Sequence, residues 1–339
     1  MSKHSNSLFI GLVLVIAMIG CGGGSSDNAS APLATKKTLP EILDSAVSQG
    51  ADAIFVYIDQ DNNQPIALAS GIQNRSNQQS ANPNSLFKVA SISKLFIAVA
   101  ATKLVANSTV SLDDNLETWL PEIATRIEGS SDITLRLLLQ HRSGVPDFDS
   151  QVGFSWENEH SDIDETLEFA LDLPADFTPN ARYEYSNTNY LLISKILDQA
   201  LGFDHKDYIK SDILTPLDLS ETYLLYSDIE PERLVKGYWN NIERSEQDYN
   251  IPGGSMISTV KDIAVFIKAL NEGTLLSAIE QDIYNSVYFL NHSGWLPGYQ
   301  SIARYHSNKN ATVIQFINTT GSGSESVATS TYSEIVESL

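Results

Sequence analysis

The sequence has almost no cysteine and half as many basic residues as acidic ones. Only one of its 339 residues is a cysteine, so no disulfide can form within the chain. The chain carries 21 lysines and arginines against 42 aspartates and glutamates, which gives a formal net charge of −21. This charge would repel a polyanionic partner, and we therefore expect no nucleic-acid binding.

Several chemistries are excluded because the residue spacings that they need do not occur. The histidines and carboxylates show no metal-ligand spacing, and the chain has neither a Gly-x-Ser-x-Gly elbow nor a phosphate-binding loop. We therefore expect no metal and no cofactor. The chain does have an apolar share of 42% over 339 residues, which is enough for a sizeable buried core.

Residues 1–20 have the pattern of a secretory signal peptide. A lysine near the start precedes the apolar run Leu8–Ile19, which is too short for a comfortable membrane span. The run ends at Cys21 in a sequence that resembles the bacterial lipobox, although Met18 replaces the usual leucine. We expect Cys21 to be lipidated, residues 21–38 to be a flexible tether, and the protein to be anchored to a membrane of the bacterial cell envelope. An ordinary signal peptide that ends near a cysteine is the alternative.

The rest of the chain has strand patterns at both ends and helix patterns between them. The segment "ADAIFVYIDQDNNQPIALASGI", with turn residues Asn62 and Asn63, predicts one hairpin, and "SIARYHSNKNATVIQFINTT" predicts another. These patterns indicate an α/β fold with one antiparallel sheet built from both chain ends, flanking helices and an inserted, mainly helical region. The predicted parts of the body, residues 39–339, are an α/β part at about 39–90 and 240–339 and a helical part at about 91–239.

Three serines in the chain begin the pattern Ser-x-x-Lys, which is a weak signal by itself. Ser258 precedes apolar residues that recur at helical period, and Thr259 and Asp262 have the spacing of a capping box for that helix. We therefore interpret Ser258 as part of a helix start. Ser85 has no helix that would bring Lys88 beside it. We therefore expect Lys88 to point to solvent.

Ser91 differs in the residues that follow it. The run "LFIAVAA" is apolar on all sides, which predicts a buried helix, and Ser91 and Lys94 share a face of its first turn. Burial and the positive helix N-terminus would lower the pKa of Lys94 until it can accept a proton from the serine. From this stretch alone, the alternative is that Ser91 caps the helix while Lys94 extends outward.

The stretch "LFKVASISKLFIAVAATKLVANSTVSLDDNLETWLPEI" resembles the opening of the serine beta-lactamase and penicillin-binding protein superfamily, in the branch that contains class C beta-lactamases, D-Ala-D-Ala carboxypeptidases and related esterases. The likeness continues in order through "ITLRLLLQHRSGVPDF", "FTPNARYEYSNTNYLL", "ILTPLDLSETYL", "GGSMISTVKDIAVFIKAL" and "HSGWLPGY". It covers about residues 85 to 300 and implies the superfamily's fold, with Ser91 as nucleophile and Lys94 as base.

The resemblance marks Tyr185, Ser186 and Asn187 as a second motif. A tyrosine beside the lysine would carry protons between the serine, the leaving group and water. The amide of Asn187 would hold Lys94 and also bond a substrate carbonyl. A helix start capped by Ser186 or Asn187 explains the same residues and is compatible with these roles.

The third motif is His292, Ser293 and Gly294, at a place where beta-lactamases of this branch usually have Lys-Thr-Gly and several peptidases and esterases have histidine. A cationic or donor residue at position 292 would steady Tyr185 and bind a substrate carboxylate. Ser293 would offer a hydroxyl group. Gly294 would let the substrate approach the strand edge.

The resemblance further implies an oxyanion hole formed by the backbone amides of Ser91 and Trp295. Two residues depart from the pattern of the family. Asn180 stands where a glycine is common, which a turn of positive φ tolerates. His292 in place of lysine argues against an efficient beta-lactamase. We interpret His141, in "LLLQHRSG", as structural.

These observations predict a serine hydrolase that forms an acyl-enzyme on an amide or ester. A D-Ala-D-Ala carboxypeptidase-like peptidase, acting on a small peptide or a peptidoglycan fragment, fits the expected compartment best. The alternatives on the same scaffold are an esterase for small esters and a weak beta-lactamase. A non-catalytic lipoprotein that binds cell-wall peptides is an alternative of another class, but it would not need the complete set of polar groups.

Overall fold

The computed structural model describes residues 36–61, 63–321 and 323–339. The predicted signal peptide, Cys21, most of the predicted tether and the turn residue Asn62 lie outside the described residues. In the part that is described, no helix is long and apolar enough to cross a membrane. The first helix begins at Leu39, directly after Thr38, its N-cap residue.

A six-stranded antiparallel sheet forms the centre of the α/β part. The strands of the described chain are β1 (Ala53–Gln60), β2 (Ile66–Asn74), β3 (Gln79–Ser80), β4 (Phe87–Lys88), β5 (Tyr238–Trp239), β6 (Ile242–Glu243), β7 (Ile257–Ser258), β8 (His292–Leu296), β9 (Tyr299–His306), β10 (Ala311–Ile317) and β11 (Thr319–Thr320). The order of strands in the central sheet is β3-β2-β1-β10-β9-β8, and neighbouring strands are antiparallel. Both predicted hairpins are present, as β1 with β2 and as β9 with β10.

The two central strands separate two cores. Alternate residues of β1, such as Ile54 and Val56, pack with α1 and α11 on one face of the sheet, because successive side chains of a strand point to opposite faces. Phe55 points to the other face and joins the larger core with Phe266 of α9. The helices are α1 (Leu39–Ser48), α2 (Ser93–Ala106), α3 (Leu116–Trp119), α4 (Pro121–Ala124), α5 (Leu135–Leu139), α6 (Ile163–Leu167), α7 (Thr188–Leu201), α8 (His205–Ile209), α9 (Val260–Asn271), α10 (Ala278–Val287) and α11 (Ser324–Ser338).

Helix α2 runs through the larger core, as its apolar sequence predicts. Eleven of its 14 residues are buried, including Lys94. The described chain therefore has the predicted fold class, an antiparallel sheet made from both chain ends with a mainly helical region inserted between them. Because α2 starts directly after the turn at Ser91, the fold holds this turn against the edge strand β8.

The other two Ser-x-x-Lys patterns have different outcomes. The expectation for Lys88 is wrong, since only 4% of it is exposed and its Nζ donates to the backbone oxygens of Ser245 and Gln247 at 2.8 and 2.6 Å. Ser258 ends β7 and directly precedes a helix, as expected. The N-cap of that helix is Thr259, whose side chain accepts a hydrogen bond from the amide of Asp262.

Candidate active site

Ser91 lies in a single 3₁₀ turn, Ala90–Ile92, that leads from β4 into α2. Ala90 has a positive φ of 52°, a conformation that L-residues rarely adopt and that often marks a functional turn. Gly294 of β8 faces this turn. A Cβ atom at Gly294 would lie 2.4 Å from the oxygen of Val89 and 2.8 Å from the Cβ atom of Ala90. The glycine is therefore required for β8 to approach the Ser91 turn at all.

The structure brings together the three residues that the sequence proposes as catalytic. Lys94 Nζ lies 3.1 Å from Ser91 Oγ, and Tyr185 Oη lies 3.0 Å from the same oxygen. Lys94 Nζ also lies 5.1 Å from the centroid of the Tyr185 ring. Ser91 therefore contacts both a basic nitrogen and a phenol.

Two further acceptors hold Lys94 in place. Its Nζ donates to Asn187 Oδ1 at 2.8 Å and to the backbone oxygen of Gly253 at 3.0 Å. Burial lowers the pKa of Lys94 to about 7, against the attraction of Asp147 and Asp149. Near neutral pH the amine therefore exists in both protonation states, as a base for Ser91 requires.

Gly253 is a functional position that the sequence analysis did not identify. It has a φ of 82°, and a Cβ atom there would lie 2.8 Å from Cγ of Lys94. A side chain at this position would displace the lysine. The pair of glycines in "GGSM" is the only signal in the sequence that indicates such a requirement.

Asp147 and Asp149 accept hydrogen bonds from Asn187 and orient its side chain. They were not predicted from the sequence. The Asn187 side-chain amide donates to a carboxylate oxygen of each at 3.2 Å, and its backbone amide donates to Asp147 at 2.9 Å. Burial and the neighbouring carboxylate raise the pKa of Asp147 to about 7. These contacts fix the amide so that its oxygen faces Lys94, and the alternating carboxylates in "VPDFDS" are their only trace in the sequence.

Tyr185 lies in an aromatic setting that keeps it protonated. Burial raises its pKa well above the usual value of 10.0. The His141 ring is stacked on it with 4.4 Å between centroids, and His141 Nδ1 accepts a hydrogen bond from the amide of Ser186 at 3.2 Å. Burial lowers the pKa of His141 to about 3, so the imidazole is neutral. These contacts agree with a structural role for His141.

His292 lies beside the site, at the position where the sequence predicts a cationic or donor residue. Burial and the nearby Lys94 lower its pKa to about 4, so the ring is neutral at pH 7. Both ring nitrogens are engaged, because Nδ1 donates to the backbone oxygen of Ser293 and Nε2 lies 2.8 Å from the hydroxyl of Tyr288. Of the two forms expected at this position, these contacts favour the neutral ring, and its binding of a substrate carboxylate stays a prediction.

A cavity of about 450 Å³ opens in front of Ser91. Its lining contains every site residue predicted from the sequence other than Cys21, together with residues from distant parts of the chain. The cavity-lining residues are Ala90, Ser91, Lys94, Asp149, Trp156, Tyr185, Asn187, Ile251, Gly254, His292, Ser293, Gly294, Trp295, Leu296, Gln300 and Glu325. The Trp156 and Trp295 rings meet edge to face, with 6.3 Å between centroids.

One group of possible metal ligands occurs among the described residues, and it lies outside this lining. Asp198, Asp204 and His205 have ligand atoms within 4.8 Å of one another. His205 Nδ1 is 2.8 Å from Asp198 Oδ1, so this nitrogen of the buried imidazole already has a partner. In the cavity in front of Ser91, Lys94 and Asp149 each bond to Asn187, and both ring nitrogens of His292 already have other partners.

A serine, an amine of lowered pKa and a phenol within hydrogen-bonding distance form an acyl-transfer constellation, and its motifs are those of a known family. The Beta-lactamase family profile matches residues 43–288. The chain belongs to the beta-lactamase family. Its curated relatives include Penicillin-binding protein 4* of Bacillus subtilis, which is 27% identical over 280 residues, 69% of this chain and 61% of that protein. Protein flp of Staphylococcus aureus strain MRSA252 is 23% identical over 278 residues, 73% of this chain and 56% of that protein.

These relatives are longer proteins, and the chain spans less than two thirds of the length of either. Solved structures show the same beta-lactamase fold. D-amino acid amidase from Ochrobactrum anthropi SV3, complexed with D-phenylalanine, has a TM-score of 0.78 and 23% identity over 88% of this chain and 97% of that one. A penicillin binding protein from Bacillus halodurans has a TM-score of 0.73 and 19% identity over 88% and 99% of the two chains.

Proposed function

We propose that the protein is a serine hydrolase that cleaves an amide or ester through an acyl-enzyme on Ser91. The observation that carries this proposal is the contact of 3.1 Å between Ser91 Oγ and Lys94 Nζ, with the lysine 1% exposed and its pKa about 7. A buried neutral amine in contact with a hydroxyl is a general base positioned for nucleophilic attack.

The proton path follows from the same contacts. Neutral Lys94 accepts the proton of Ser91 as Oγ bonds to the substrate carbonyl carbon, and the carbonyl oxygen takes up the negative charge. Tyr185, 3.0 Å from Ser91 Oγ, then passes a proton to the leaving nitrogen or oxygen and recovers one from Lys94. Water enters next, gives a proton back through the same pair, and releases the acid and free Ser91.

The oxyanion hole in this mechanism consists of the backbone amides of Ser91 and Trp295. Ser91 belongs to the 3₁₀ turn and Trp295 to β8, and both residues line the cavity. The required absence of a side chain at Gly294, next to Trp295, lets these two backbones approach each other. Preorganised amides of this kind stabilise the charge that develops on the carbonyl oxygen.

The substrate we propose is a small peptide or an amide of peptide type. Support comes from the relatives, whose names include a penicillin-binding protein and a D-amino acid amidase. D-Ala-D-Ala carboxypeptidase activity is one form of this chemistry. Hydrolysis of small esters is the second candidate, and the neutral His292 favours it because an ester needs no cation at that position.

Covalent trapping tests the proposal. The purified protein is incubated with a labelled penicillin, with a fluorophosphonate and with a panel of p-nitrophenyl esters, and its intact mass is measured. We expect an adduct on a peptide that contains Ser91. A protein that takes up none of these reagents, although it is folded by circular dichroism, would be a binding protein rather than a hydrolase.

We further propose that the chain is lipid-anchored through Cys21 in the bacterial cell envelope. The proposal rests on the sequence, in which the single cysteine follows directly on an apolar run. Wild type expressed in a bacterium should incorporate radioactive palmitate and sediment with membranes, whereas Cys21→Ser should do neither. Absence of label from the wild type would contradict the anchor.

A further inference from the structure

The two basic groups that line the active-site cavity, Lys94 and His292, are already bonded to other groups of the protein. Lys94 has three acceptors within 3.1 Å and is 1% exposed. His292 is neutral at pH 7, and both of its nitrogens already have partners. Neither basic group in the lining therefore has a nitrogen free to donate a hydrogen bond to a ligand.

The side-chain atoms of the lining that have no partner in the described part of the chain include the acceptors of Glu325 and Gln300 and one buried donor, Trp295 Nε1. Glu325, in the first turn of α11, is exposed, and it takes part in none of the ion pairs found among the described residues. Gln300 Oε1 is buried without a hydrogen-bond partner in the described part of the chain. Asp149 also lines the cavity, but its carboxylate oxygens already accept from Asn187 and Ser150. A carboxylate on the substrate would find repulsion here, whereas an ammonium group would find oxygen atoms to bind.

The aromatic wall of the cavity suits a cation as well. The rings of Trp156 and Trp295 both line the cavity and meet at 75°. Indole faces attract cations through the ring quadrupole. Arg244 packs on Trp239, whose ring contacts that of Trp295, but Arg244 does not line the cavity and its guanidinium pairs with Glu157 at 3.5 Å.

We propose that the preferred substrate carries a positively charged amine outside the scissile bond, and that Glu325 is the specificity-determining residue which attracts it. This inference rests on the proposed hydrolase function and names its substrate class, a cationic amide or ester in place of a peptide that ends in a carboxylate. The amine remains intact through the reaction, since only the acyl bond is broken and reformed with water.

Matched substrate series test the inference. The first series varies the acyl side with one leaving group: D-phenylalanine p-nitroanilide, its N-acetyl form and its N-succinyl form, which are cationic, neutral and anionic. The second varies the leaving side, with N-acetyl-D-phenylalanine joined to ethylenediamine, propylamine or β-alanine. At pH 7 and low salt we expect kcat/KM to favour the cation over the anion by at least about tenfold in one of the series, and the preference should shrink at high salt.

Two variants of α11 form a matched pair. Glu325→Gln should lower the cation-to-neutral ratio of kcat/KM about fivefold, the effect of one exposed ion pair. Glu337→Gln removes the same charge from the same helix at an exposed position outside the cavity lining, and it should keep the wild-type ratio. A ratio that is equal in wild type and Glu325→Gln would overturn the inference.

The remaining outcomes separate failure of this inference from failure of the proposed function. Equal rates across both series, or a preference for the anions, would overturn the inference and leave the hydrolase function intact. Fluorophosphonate labelling of Ser91 without hydrolysis of any of the six compounds would overturn it in the same way. If the protein neither hydrolyses a compound nor takes up the label, the proposed function fails, and the inference fails with it.

Discussion

Two buried lysines of this molecule invite comparison, because they are close in sequence and alike in their surroundings. Lys88 is 4% exposed and Lys94 is 1% exposed. Burial lowers the pKa of each from a usual value of 10.5 to about 7. Each follows a serine at the Ser-x-x-Lys spacing, namely Ser85 and Ser91. By sequence pattern and by pKa the two lysines are equivalent.

Their partners are not equivalent. Lys88 donates to two backbone oxygens and lies over three tyrosine rings, with its Nζ at 4.9 to 5.6 Å from the centroids. It joins the loop at Ser245 and Gln247 to the sheet region, while Ser85 bonds elsewhere, to Gln73. Lys94 has its serine within 3.1 Å. A lowered pKa makes an amine a potential base, and only a neighbouring acid makes it an actual one.

The difference has its origin in secondary structure. Lys88 ends strand β4, and in an extended chain residues three apart point to opposite sides. Ser91 and Lys94 lie in a 3₁₀ turn that continues into α2, where residues three apart share a face. One spacing thus produces a structural lysine in one element and a catalytic pair in the next.

The largest expected effect separates the serines. Ser91→Ala should lower kcat by about 10⁴-fold or more, because no other group can form the acyl-enzyme, and it should abolish fluorophosphonate labelling. Ser85→Ala loses only the hydrogen bond to Gln73 Oε1 at 2.9 Å and should keep labelling and turnover. Ser258→Ala serves as a second control. Labelling that survives in Ser91→Ala would show that Ser91 is not the nucleophile, and the contrast between the two Ser-x-x-Lys pairs would fail.

Substitution of Lys94 should lower activity, whereas substitution of Lys88 should lower stability. Lys94→Met should lower kcat about 10³-fold, the contribution of a general base, with the fold retained. Lys88→Met leaves the backbone oxygens of Ser245 and Gln247 without a donor and should lower the free energy of unfolding by about 1–3 kcal/mol. Urea unfolding and the rate of acylation by a p-nitrophenyl ester measure the two effects. The comparison breaks if Lys88→Met loses activity as completely as Lys94→Met does while it remains folded.

The pH dependence of the rate should belong to Lys94 and the groups joined to it, and not to Lys88. The base is the neutral amine, so kcat/KM for a neutral ester should rise about tenfold per pH unit below about 7 and level off above it. Asp147, whose pKa is also about 7, is joined to Lys94 through Asn187, so the inflection reports the network. Lys88→Met should show the same inflection. A rate that falls as pH rises through 7 would contradict Lys94 as the base.

The pH dependence of stability should instead include Lys88. Folding lowers its pKa from 10.5 to about 7, so between those values the unfolded chain binds more protons than the folded protein. The contribution of Lys88 to the free energy of unfolding therefore rises with pH across that window and is lost as pH falls through it. The slope between about pH 7 and 10 should be smaller in Lys88→Met than in wild type. Equal slopes would show that Lys88 is not buried as a neutral amine.

Sequence reasoning could identify the groups that lie along one element or belong to an ordered motif. Ser91 with Lys94, and Tyr185 with Asn187, are local patterns, and the structure brings both to one cavity. The burial of Lys88 could not be predicted, because its cage is a loop far along the chain. Asp147, Gly253 and Glu325 were missed for the same reason. Their part in the site depends on how α2, the helical region and α11 pack together, which no short spacing encodes.

The smallest expected effect concerns His292, whose ionisation should not change the relative rates on two substrates. It tests whether burial beside Lys94 keeps the imidazole neutral. With a pKa of about 4, its ring stays neutral between about pH 5 and 9. The ratio of kcat/KM for a D-Ala-D-Ala peptide to that for a neutral ester should therefore be independent of pH across this range. The titration of Lys94 affects both substrates and cancels in the ratio. His306→Gln, a change of a histidine outside the cavity, should give the same flat ratio. A ratio that falls between about pH 6 and 7 in wild type, but not in His292→Gln, would mean that the imidazole ionises in spite of Lys94. The pKa of Lys94 would then have to lie below that pH, because only a neutral amine leaves the imidazole free to ionise beside it.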